Sequence, residues 1–246
     1  MTASWSDLGL SSAWMNAAGF KGYLPVHDAV EQYSSGAFVT NPISLLARSP
    51  AQNRCVAAFK GGFLMHTGHP NPGFESVIKN YASKWRGLTL PVWAHLLVST
   101  PHECQAMVKG LENVDNVAVI ELGLPPTCGI SHQLELIDAA MGELPLVICL
   151  PLDEINPGWI EKLGARGIAG LVISAPRGTI VRNHRVMRGR LFGPALHPLM
   201  MEALHRLRGA DMPILAGCGI FSREDGEAAL DAGAAAVQVD GWCWQF

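Results

Sequence analysis

Eight short apolar runs recur along the chain with helical stretches between most of them, and this alternation leaves few folds open. The runs are Trp14–Ala18, Ala37–Thr40, Val92–Leu97, Val117–Leu122, Leu146–Leu150, Gly170–Ser174, Ile214–Ala216 and Ala236–Val239. They are rich in Val, Ile and Leu and lack polar alternation, as expected of strands buried on both faces of a parallel sheet. Helical patterns fill 73–85, 101–114, 131–141, 156–165, 194–208 and 222–232, and several open on Ser, Pro or Asn in helix-start positions. Parallel neighbours require crossover connections, so eight such βα units predict a (β/α)8 barrel.

The chain length, 246 residues, suits that fold as one domain spanning 1–246. A composition of 49% hydrophobic and 16% charged residues provides an ample core. A net charge of -3 offers no general attraction to nucleic acid or to an acidic membrane. No apolar run approaches the roughly 20 residues that span a bilayer, and the N-terminus lacks the pattern of a signal peptide. The six cysteines, at 55, 104, 128, 149, 218 and 243, form no CxxC pair and read as reduced thiols of a cytoplasmic protein.

A barrel places its chemistry at the C-terminal ends of its strands. There the last third is the most informative part. GRLFGPALHP at 189–198 reads as a Gly-bounded loop opening a helix, and ILAGCGIFS at 214–222 as a strand, a Gly-rich turn and a helix start. Turns that aim backbone N–H groups and a helix N-terminus at one point suit a phosphate. With NAAGF at 16–20, VTNP at 39–42 and GHPNPG at 68–73 in the same order, the chain resembles the dihydroorotate dehydrogenase family of FMN-binding barrels. The last strand of that family is followed by a final helix, and the resemblance leads to the expectation that this helix is missing here.

The resemblance implies FMN as cofactor and an oxidoreductase activity whose substrate the sequence does not name. It places Ala18 and Gly19 near the flavin ring, Gly189 and Arg190 in a Gly-Gly loop, and Gly217, Cys218, Gly219 and Gly241 around the phosphate. Asn41 and Cys149 stand in two positions that the resemblance assigns to lysines, and His66 where it implies an Asn. Cys128, two positions displaced from the family's catalytic base, is the thiol on offer for that role; a thiol without catalytic function is the other reading. Losing a fixed cation beside a developing anion removes on the order of 3 kcal/mol of stabilisation. Asp240 replaces a phosphate-loop Gly with a carboxylate.

Two further patterns keep other functions open. Between Lys162 and Met201 there is no Asp or Glu, while five arginines fall in 177–190, which reads as a long loop after the sixth strand. Guanidinium groups suit phosphate and carboxylate, so a redox-inactive barrel that binds a small anionic ligand near Arg177–Arg190, or a protein partner, is the second reading. The third is a metal-dependent hydrolase using His66, His69 and His95, with Glu121 on the next strand. The leading reading assigns no metal. Trp242, Trp244 and Phe246 form an apolar tail that predicts a cap on the barrel or an interface in a homo-oligomer or protein complex.

Overall fold

A computed structural model describes residues 8–25, 35–126 and 128–240. Its centre is a ring of eight parallel strands. They are β1 (Trp14–Asn16), β2 (Phe38–Val39), β5 (Val92–Leu97), β6 (Val117–Gly123), β7 (Leu146–Pro151), β8 (Gly170–Ser174), β11 (Ile214–Gly217) and β12 (Ala236–Val239). The hydrogen-bonded order is β1-β12-β11-β8-β7-β6-β5-β2, and a parallel bridge from Met15 to Ala37 joins the two ends. The predicted (β/α)8 barrel is therefore the observed fold, with all eight predicted strands in place.

Asn16 completes the seam where strand pairing is thinnest. Its side-chain amide donates to the Val39 carbonyl at 2.6 Å and accepts from the Val39 N–H at 3.1 Å. Among the described residues, six α-helices pack outside the ring: α1 (Phe74–Arg86), α2 (Pro101–Leu111), α3 (Ile130–Ala140), α4 (Pro157–Gly164), α5 (His197–Arg206) and α6 (Arg223–Asp231). Local chemistry sets three of their starts. Thr100, Asn156 and Ser222 each accept a backbone N–H from the residue three positions on. Among the described residues, no helix is long and apolar enough to cross a membrane.

The core has two compartments. The outer one packs α-helices against the strands; the inner one fills the lower barrel with Leu8, Leu10, Met15, Val39, Trp93, Val119, Val147, Val172 and Leu215. The lower barrel is a plug, not a channel, so any ligand must approach from the opposite, C-terminal end.

The stretch 177–190, read as a long loop, is part of a hairpin, and a second hairpin covers 55–66. β3 (Cys55–Phe59) pairs with β4 (Gly62–His66), and β9 (Arg177–Arg182) pairs with β10 (Arg185–Phe192); β4 and β10 join them into one antiparallel sheet, β3-β4-β10-β9. The arginine-rich stretch after the sixth barrel strand is thus a structured arm. Its turn uses Asn183 and His184, both with positive φ (50° and 61°), the conformation that a two-residue hairpin turn requires. Gly189 is correspondingly mid-strand and not in a phosphate loop; a Cβ there would lie 2.4 Å from the Met65 carbonyl oxygen. The aromatic tail Trp242, Trp244 and Phe246, with Gly241, lies outside the described residues.

Because Asn16 satisfies both backbone groups of Val39 in a buried seam, Asn16→Ala should destabilise the protein by about 2–4 kcal/mol. Urea unfolding measures this directly. A loss below about 1 kcal/mol would mean that the seam closes without this side chain.

Candidate functional site

Strand register builds a polar layer on top of the apolar plug. His95 and Glu121 lie side by side in the β5–β6 pairing, and both side chains point inward and are buried. His95 Nδ1 is 2.7 Å from Glu121 Oε1, and Gln238 Nε2 donates to Glu121 Oε2 at 2.5 Å. A carboxylate oxygen accepts, so Nδ1 of His95 carries the proton and Nε2 is the ring atom left for other work. Nε2 lies beside Gly123, where a Cβ would come within 2.9 Å of it; the glycine makes room for the ring. Two residues beyond Glu121 and its β7 partner Val147, the pairing sets Gly123 opposite Cys149, whose thiol joins the same layer. Burial, then the Glu121 carboxylate, pushes this thiol up to about 12.

Above this floor opens a cavity of about 680 Å³ at the C-terminal ends of the strands. One wall is the loop after β1, where Ala17, Ala18 and Gly19 form a shelf of small residues ending at Phe20. The facing wall is the hairpin sheet, which contributes Met65, His66, Arg177, Arg188, Gly189 and Arg190. Arg190 reaches inward and donates through Nη1 to Ser174 Oγ at 3.0 Å and to the Ala175 carbonyl at 3.1 Å.

The mouth is cationic enough to perturb its own groups. Burial and the nearby Arg190 guanidinium lower the Arg177 pKa. His69 is pushed down to about 3, first by burial and then by Arg190, His95, Arg48 and Arg177. Its imidazole is therefore neutral at physiological pH and can offer a hydrogen bond but no charge. Burial also raises the Glu154 carboxyl, against the pull of Arg177.

Of the residues singled out in the sequence, Ala18, Gly19, His66, His69, His95, Cys149, Gly189, Arg190 and Gly217 line this cavity. Asn41, Cys128, Cys218 and Gly219 are not among the described lining residues. Asn41 fixes the loop after β1, accepting from the Gly22 N–H at 3.0 Å and donating its own N–H to the Gly22 carbonyl at 2.7 Å. Cys128 donates its thiol to the Pro125 carbonyl at 3.2 Å, and burial raises its pKa, so it is not placed as a base. Cys218 is fully buried behind the β11 turn. Gly219 keeps a left-handed φ of 72°, but a Cβ on it would lie 2.6 Å from the His197 N, so the turn presses on the start of α5. Asp240, 1% exposed, borders the cavity at the end of β12.

The histidine trio does not assemble as a metal site. Among the described residues, the group whose donor atoms converge is His95, Glu121 and Cys149, with one atom of each within 4.8 Å of the others; His66 instead meets Asn53 Oδ1 at 3.2 Å. The His95–Glu121–Gln238 network was not legible as a unit. Its one signal was polar residues at inward positions of otherwise apolar strands.

No protein-family profile matches the chain. Individual relatives do, over nearly its whole length. A Pediococcus pentosaceus protein named for dihydroorotate dehydrogenase A (fumarate) is 28% identical, with 94% of this chain and 84% of the relative aligned. The catalytic subunit of dihydroorotate dehydrogenase B (NAD(+)) from Trichlorobacter lovleyi is 26% identical over 97% of this chain and 86% of its own. The subunit of the same name from Pyrococcus abyssi is 23% identical over 83% and 74%. Similarity over most of the chain, on a closed eight-stranded barrel with its cavity at the C-terminal mouth, makes this protein a distant relative of proteins named as dihydroorotate dehydrogenases, at 23–28% identity.

Proposed function

We propose that this chain is an FMN-dependent oxidoreductase that takes a small anionic substrate in the same cavity as the flavin. The observation that carries the reading is the cavity itself: its volume suits a cofactor-sized ligand, and the shelf Ala17–Gly19 lets a flat ring approach the backbone. When bound, the flavin ring supplies the two-electron acceptor for substrate oxidation. Every relative named above carries dihydroorotate dehydrogenase in its name, which supports the same reading.

The fit of FMN to these residues differs between its two ends. The ring end fits, because the shelf carries no side chain longer than Ala before Phe20. The phosphate end is remodelled. Cys218 and Asp240 take the places where the resemblance implies glycines, and Gly219 is closed against α5. An anion in this cavity meets Arg48, Arg177 and Arg190 instead. Guanidinium forks suit both phosphate and the carboxylate of a substrate such as dihydroorotate.

The chain's own residues then have separable tasks. Arg190, anchored to the end of β8, fixes the direction in which an anion lies. His69 contributes a neutral hydrogen-bonding group beside it. Cys149, neutral because burial disfavours the thiolate, leaves the end of β7 without a fixed cation. A flavin bound there would meet no lysine at the end of β7 to offset negative charge developing on its ring. A specific observation favours a second reading, an anion-binding barrel without redox activity: Asn41, in a position the resemblance assigns to a lysine, is committed to the backbone of the loop after β1.

FMN titration followed by visible absorbance separates the two. We expect saturable binding by the wild-type protein and its loss in Ala18→Phe, which fills the shelf without touching a barrel hydrogen bond. Absence of FMN binding by the wild-type protein would overturn the flavin reading in favour of the second one, and unchanged binding by the variant would overturn the shelf as the ring site.

Turnover of dihydroorotate by the FMN-loaded protein should be at least about a thousandfold below a typical enzyme rate of roughly 10 per second. Steady-state kinetics at ordinary rates would contradict the electrostatic argument. Arg190→Gln should weaken binding of orotate, the oxidised form of that substrate, by about 10- to 100-fold in calorimetry, since one charge-assisted contact is removed. Unchanged affinity would place the anion elsewhere.

A further inference from the structure

We propose that His95, Glu121 and Cys149 form a binding site for one divalent transition-metal ion of the zinc class at the floor of the cavity. The donors are a ring nitrogen, a carboxylate oxygen and a thiol sulfur, one atom of each within 4.8 Å of the others. A tetrahedral ion, with bonds of about 2.0–2.3 Å, draws them together by roughly an ångström. The three residues stand on consecutive barrel strands, β5, β6 and β7, whose register fixes their relative heights. Sites built on strands hold their geometry better than sites built on loops.

The surroundings match such a site in three respects. The ligands are buried, yet all three border the cavity, so three protein donors leave a fourth position facing the open space, as catalytic zinc sites do. Gln238 holds Glu121 Oε2 at 2.5 Å and so orients the carboxylate from the opposite side of the barrel, the part outer-shell partners play around metal ions. A mixed nitrogen, oxygen and sulfur set disfavours magnesium and calcium, which take oxygen ligands, and favours zinc or a neighbouring transition metal. On binding, the Cys149 S–H bond breaks, the proton leaves to solvent and a metal–sulfur bond forms. The dication then offsets the summed negative charge of thiolate and carboxylate in a dry environment.

Cobalt(II) substitution tests the site without any flavin or substrate. Protein freed of metal by a chelator and titrated with Co2+ should bind one ion per chain and develop a thiolate-to-cobalt charge-transfer band. Cys149→Ser should abolish the band, and Glu121→Gln should weaken affinity by about tenfold or more. Cys55→Ser, which alters a half-buried thiol on β3, should keep the band. X-ray absorption of the zinc-loaded wild-type protein should show one sulfur neighbour at about 2.3 Å, a readout that holds even where a variant does not fold. A titration with no charge-transfer band, or a band that survives in Cys149→Ser, or a zinc shell without sulfur would overturn the proposal. Because no arm uses FMN, failure here leaves the flavin reading standing, and failure of FMN binding leaves this site standing.

Discussion

The carboxylate of Glu121 is the constraint around which the upper barrel is organised. It is fully buried, and a buried carboxylate is tolerated when hydrogen-bond donors meet its oxygens. His95 meets one oxygen from the adjacent strand. Gln238 meets the other from β12, which in the closed order β1-β12-β11-β8-β7-β6-β5-β2 stands diametrically across the ring from β6. One side chain therefore ties opposite walls of the barrel together at the level where the apolar plug ends. Below it, Val119, Val147, Val172 and Leu215 close the interior; above it, the cavity begins. Removing either donor would leave one buried carboxyl oxygen without its hydrogen bond, at a cost of about 1–3 kcal/mol.

That layer also divides the cavity electrostatically. The floor carries a carboxylate, a thiol and an oriented imidazole, whereas the mouth carries Arg48, Arg177 and Arg190. An anionic group entering the cavity is drawn to the rim and repelled by the floor, so charge alone gives a ligand a direction. The hairpin sheet makes this polarity possible. Its β9–β10 arm returns Arg190 to the end of β8, 16 positions from Ser174 in sequence and paired across the hairpin with Arg177, and Gly189 lets β10 pass close to the β4 backbone.

The barrel was legible because strand burial on both faces leaves an unmistakable apolar run, and the order of eight such runs admits few topologies. The hairpins were not read, although Asn183 and His184 flanked by Val181 and Val186 carried the signal of a two-residue turn. β9 and β10 are half-exposed and arginine-rich, a pattern that looks like a solvated loop when no partner strand is known. The site was legible in its elements and not in its contacts. Ala18, Gly19, Cys149 and Arg190 do border the cavity, but Asn41 and Cys128 turned out to be bound to nearby backbone groups. Which way such a side chain turns depends on local carbonyls and amides that spacing does not reveal. Glu121 and Gln238 are 117 positions apart and meet only because the ring closes.

The protonation of His95 tests this account at its centre. If Glu121 accepts from Nδ1 inside a closed polar layer, long-range nitrogen NMR correlations at neutral pH on the metal-free protein should show a solvent-protected proton on Nδ1. That resonance should vanish or move in Gln238→Leu, which acts from across the barrel. An imidazole with a bare Nδ1, or one indifferent to the residue at 238, would contradict the claim that these three side chains join the walls of the barrel and set the floor of the site.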